Sequence, residues 1–71
     1  MKVIRRIRYE RGECGYHITV FAPSEQSPLY RIICSEAGCG YHGLTERATI
    51  EEVETVIACI LRDAPFEEVA A

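Results

Sequence analysis

The sequence predicts an α+β domain, a small antiparallel sheet of three or four strands with one C-terminal helix packed on a face. Three observations carry this. Residues 16–22 (YHITVFA) are β-branched and aromatic, the composition of a strand. Glycine and proline interrupt the first two thirds of the chain at short intervals, which favours short strands joined by turns. From Thr49 to Pro65 the apolar residues change to helical spacing.

Residues 2–9 (KVIRRIRY) read as a first strand of mixed pattern, and Gly12 and Gly15 mark the turn that follows. Residues 16–22 form the second strand. The stretch 23–28 (PSEQSP) is a loop by composition, and residues 29–34 (LYRIIC) form a third, apolar strand. The stretch 35–47 holds Gly38, Gly40 and Gly43 and reads mostly as turn, with room for a short fourth strand over 41–45. Thr49 followed by Glu52 is a capping-box pattern. Glu51 and Glu52 oppose the positive end of the helix dipole. Ile50, Val53, Ile57, Ile60 and Leu61 share one face, Arg62 suits the last turn, and Pro65 stops the helix. The chain thus divides into a single domain, 1–65, and a tail, 66–71, expected to fray.

With 71 residues there is one domain. A domain so small buries only about 60% of the surface its unfolded chain exposes, so a metal, a disulfide or a dimer contact would help it. Hydrophobic residues at 48% against charged residues at 27% give a globular balance. No apolar run is long enough to span a membrane, and the basic N-terminus has no apolar core of a signal peptide. The expected location is therefore cytoplasmic, where four cysteines read as thiols or metal ligands.

The net charge of −3 is unevenly spread. Lys2, Arg5, Arg6, Arg8 and Arg11 crowd the start, and Glu46, Glu51, Glu52, Glu54, Asp63, Glu67 and Glu68 crowd the last third. The acidic total argues against non-specific nucleic-acid binding, which rests on neutralising phosphates. Arg5, Arg6, Arg8 and Arg11 remain a candidate local contact patch.

Cys-Gly-Tyr-His occurs twice, at Cys14–His17 and Cys39–His42. The alignment extends upstream, placing Arg6 on Arg31 and Ile7 on Ile32. A unit of strand, turn and Cys-Gly-Tyr-His is thereby written twice. Cys and His are the ligands zinc prefers, so Cys14, His17, Cys39 and His42 form a candidate structural zinc site, with Cys34 as a substitute ligand. In an extended strand residues three apart face opposite ways, so each Cys-x-x-His pair can chelate only if the backbone bends, and Gly15 and Gly40 stand where it must. Cys59 lies half a helical rotation from Ile50, among Glu52, Thr55 and Arg62, and reads as an exposed or partner-facing thiol. A Cys/His couple can also serve as nucleophile and base. No orienting Asn or Asp stands near either pair, and a domain this small leaves little room for a substrate pocket, so no enzyme activity is expected.

Gly12-Glu13-Cys14-Gly15-Tyr16, leading into the strand 16–22 and Pro23, resembles the acidic-Gly-Gly-Tyr turn of HicB-like antitoxin domains. Thr49-Ile50-Glu51-Glu52-Val53 is similar to that family's Thr-x-Glu-Glu-Ala helix start. The resemblance covers about half the chain. It implies a βββα fold and an inhibitor that covers a basic, RNA-binding toxin. The chain departs by carrying extra residues, with the second Cys-Gly-Tyr-His, between the second strand and the helix.

The expected function is a small non-enzymatic binding protein, antitoxin-like or a phage-encoded inhibitor. It would act by charge complementarity, presenting Glu51, Glu52 and Asp63 to a protein partner with a basic surface. The alternative is a zinc-ribbon-like module that contacts nucleic acid or protein. A homodimer is a third expectation, permitted by the open sheet edge and by Cys59.

Overall fold

The computed structural model describes residues 2–36 and 42–69. The elements in chain order are β1 (Val3–Arg11), β2 (Cys14–Phe21), β3 (Tyr30–Glu36), β4 (His42–Arg47), α1 (Ile50–Leu61) and β5 (Phe66–Val69). The strands form one antiparallel sheet in the order β4-β3-β2-β1-β5.

The β1–β2 hairpin closes through Gly12 and Glu13, and Gly12 adopts the left-handed backbone, φ 65°, that glycine accepts without steric cost. Ladder pairs then set the two faces. Ile7 lies opposite Ile18, Ile18 opposite Cys34, and Val20 opposite Ile32. These residues face the helix, which buries Val53, Ile57 and Leu61 against Ile7, Tyr9, Ile18, Val20 and Ile32. Each such aliphatic side chain contributes roughly 1.5–3 kcal/mol by leaving water. The Tyr9 ring is buried, stacks on Tyr16 with centroids 5.1 Å apart, and sets its hydroxyl 3.4 Å from Cys34 Sγ.

Helix α1 begins as its sequence predicts. The Glu52 amide donates to Thr49 Oγ1 at 3.2 Å, and the Thr49 hydroxyl donates to Glu52 Oε1 at 3.0 Å. Its far end differs. Arg62, expected to act on the helix dipole, is the C-cap residue, with φ 43° and ψ −128°. The exposed last-turn carbonyls are satisfied from the sheet instead, by Arg11 on β1, whose guanidinium donates to the carbonyls of Ile60 at 2.7 Å and Leu61 at 3.0 Å. Ile50, placed by its spacing on the core face, is exposed, whereas Val53, three residues on, is buried.

The expectation of three or four strands with a terminal helix needs two corrections. The fourth strand, expected over 41–45, is present as His42–Arg47, and residue 41 lies outside the described residues. The segment 66–69, expected to fray, is β5, which pairs antiparallel with β1 through Arg6, Ile7, Arg8 and Tyr9. Phe-Glu-Glu-Val carries no alternation that would mark a strand. Its order comes from partners distant in sequence: the open edge of β1, and Arg5 and Arg8, which pair with Glu68 and Glu67. The element order implied by the antitoxin resemblance, βββα, is therefore extended by β4 before the helix and β5 after it.

Candidate binding surfaces

The repeat seen in the sequence is a repeat of hairpins. β1–β2 and β3–β4 lie side by side, with Arg11 at the end of β1 and Glu36 at the end of β3 toward the same end of the sheet. Ile7 and Ile32, its aligned apolar pair, are both buried beneath the helix. Arg6 and Arg31, its aligned basic pair, fall on the opposite face with their ladder partners Thr19 and Glu46. The register of the second hairpin differs by two residues from the first: Arg8 meets His17 in one, and Ser35, not Ile33, meets His42 in the other, while His17 meets Ser35 from the other side.

The metal candidates distribute as follows. Gly15 sits in the ladder opposite Glu10 and takes no positive φ, so the bend that a Cys14–His17 chelate requires is not formed there. Cys14 and His17 lie on opposite faces of β2, and the first Cys-x-x-His pair does not converge on one point. Cys34 is on the helix face, half-buried against the Tyr9 hydroxyl. Cys39 and Gly40 lie outside the described residues, and His42 is the first residue of β4. The same separation of Cys14 from His17 keeps that nucleophile and base apart. The Cys14 thiol is exposed, and hydrogen bonding to Glu36 raises its pKa, because a neighbouring carboxylate disfavours the thiolate.

The four arginines do not form one patch, because a strand presents alternate residues to opposite sides. Arg5 and Arg11 turn to the helix side. Arg5 bridges Glu54 on α1, at 2.6 Å, and Glu68 on β5, at 2.7 Å from its Nε. Hydrogen bonding to Glu68 raises the Arg5 pKa still further, partly offset by burial. Arg11 holds the end of the helix. Arg6 and Arg8 face the other way, and Arg8 pairs with Glu67.

This geometry removes much of the charge separation visible along the sequence. Glu54, Glu67, Glu68 and Glu46 are paired with Arg5, Arg8, Arg5 and Arg31. Among the described residues Glu51, Glu52 and Asp63 have no basic partner, and all three are exposed. Glu51 and Glu52 stand in the first turn of the helix, and Asp63 stands just beyond its C-cap. The acidic candidates thus flank the length of α1.

A groove of about 530 Å3 runs between α1 and β4, lined by Thr45 and Arg47 from the strand and by Thr55, Val56, Cys59 and Ile60 from the helix. It is larger than the size of the chain suggests. Cys59 is exposed, as its helical position predicts, but its surroundings include apolar Val56 and Ile60 as well as Glu52 and Thr55. The sequence gives no sign of this groove, because it depends on which strands the helix leaves uncovered. Among the described residues no helix is long and apolar enough to cross a membrane. Comparison with known proteins gives no matching family model, no curated relative and no matching solved structure.

Proposed function

We propose that this chain is a small non-enzymatic binding protein, antitoxin-like or of the phage-inhibitor kind, whose helix side engages a macromolecular partner with a basic surface. The observation that supports this most strongly is the residual charge. Folding pairs Glu46, Glu54, Glu67 and Glu68 within the chain, and of the carboxylates without a basic partner among the described residues three, Glu51, Glu52 and Asp63, stand exposed beside the helix. Charge of one sign left over after internal pairing steers a complementary partner and sets the register of docking. The helix is a rigid support for it, capped by Thr49 and held by Arg5 and Arg11 from the sheet. The non-enzymatic part of the reading rests on Cys14 and His17 lying on opposite faces of β2.

Affinity capture with three forms of the protein tests the proposal: the natural sequence, Glu51→Lys/Glu52→Lys/Asp63→Lys, and Glu10→Lys/Glu13→Lys at the β1–β2 turn. A partner held by the first and third forms and lost from the second, with binding that weakens as salt rises, is the expected result. Equal capture by all three would remove the helix side as the contact surface.

A further inference from the structure

The face of the sheet away from the helix holds a second cluster. Arg6 and Arg8 are two residues apart on β1 and share that face. In the ladder Arg6 lies opposite Thr19, Arg8 opposite His17, and His17 opposite Ser35. These residues, with Val69 at the rim, line a depression of about 330 Å3. Two guanidinium groups, an imidazole and two hydroxyls are thus gathered around one concavity. The facing strand β5 supplies a single carboxylate there, Glu67, which pairs with Arg8. Opposite Arg6 on β5 stands Val69, and among the described residues Arg6 has no carboxylate partner.

We infer that this depression is an anion site that takes a phosphate group. Guanidinium forks match phosphate oxygens bidentately. A carboxylate offers two oxygens, and Glu67 uses one of them on Arg8. A phosphate has further oxygens for the hydroxyls of Thr19 and Ser35 and the imidazole of His17. Ladder partners in adjacent strands stand about 4.5–5.5 Å apart at Cβ, close enough for one small anion to meet several of them. The volume is at the lower end of small-molecule sites, enough for a phosphate and part of the group that bears it. The site is independent of the acidic helix side, so either can fail without the other.

Amide chemical-shift titration of the isotopically labelled protein tests it, with inorganic phosphate, adenosine 5′-monophosphate and a short single-stranded oligothymidylate at constant ionic strength in chloride. The expected result is a saturable shift centred on Arg6, Arg8, His17, Thr19 and Ser35 with at least one probe. Arg6→Ala should weaken it about tenfold, the value of one charged hydrogen-bonding group. His17→Gln should weaken it as well, and Glu51→Lys on the helix should leave it unchanged. The probe bound most tightly identifies the source of the phosphate, and a steep salt dependence with the oligonucleotide assigns it to a nucleic-acid backbone. Absence of a saturable shift with all three probes, a shift centred elsewhere, or unchanged affinity in Arg6→Ala would overturn the assignment.

Discussion

Tyr9 and Arg62 show how single residues set the limits of this fold. Burial pushes the Tyr9 phenol well above its ordinary range, and the contact with Cys34 adds to the shift. Above about pH 10 the unfolded chain releases this proton first. The native state then binds more protons than the unfolded state, so stability falls as pH rises from there toward the folded-state pKa. Tyr9→Phe should therefore flatten the alkaline loss of stability in denaturant titrations at successive pH values, at a cost near neutrality of about 1 kcal/mol for the lost polar contact. Some alkaline slope should persist, because burial raises the Tyr16 phenol too. Arg62 sits at φ 43°, where a side chain is strained and glycine is not. Arg62→Gly should stabilise the protein by about 1 kcal/mol, a rise in Tm of roughly 4–8 °C for a domain of this size. A lower Tm would mean that the Arg62 side chain contributes more than its backbone costs.

At the scale of elements, the parts legible in the sequence are those whose signals are local. The start of α1 is written in Thr49 and Glu52, and both groups bond as the pattern requires. Thr49→Ala should cost about 1 kcal/mol, read as a lower denaturation midpoint with an unchanged denaturant slope. The β1–β2 turn is equally local and rests on Gly12. β5 and the end of the helix are not local. β5 is a strand because β1 offers it an edge and because Arg5 and Arg8 meet Glu68 and Glu67, more than fifty residues away along the chain. The helix C-terminus is satisfied by Arg11, a residue whose charge alone suggested an outward contact. The first Cys-Gly-Tyr-His opens β2, and of the second only His42, at the start of β4, lies within the described residues. The reading of the first as a chelate depended on a bend at Gly15, and the regular ladder opposite Glu10 gives none.

For the whole molecule, the main consequence of folding is the removal of the charge asymmetry seen along the sequence. The basic start of the chain lies in β1, between β2 and the acidic β5, and part of its charge is cancelled there. Among the charges left without an opposite partner in the described residues are Glu51, Glu52 and Asp63 along the helix and Arg6 on the uncovered face, where it stands beside His17 and the Glu67-paired Arg8. No single position announces this division. It follows from strand alternation combined with the placement of one helix, so only the four separate arginines and the acidic run were visible in the sequence. We propose that the helix-side acids contact a basic partner. A charge exchange tests it most directly, by titration calorimetry of a captured partner against the natural chain and against Glu51→Lys/Glu52→Lys/Asp63→Lys, each with the natural partner and with a partner whose basic surface residues are changed to glutamate. Either change alone should weaken binding at least about tenfold, and the two together should restore much of the loss. Undiminished affinity in the triple variant, or loss without any restoration in the exchanged pair, would contradict it.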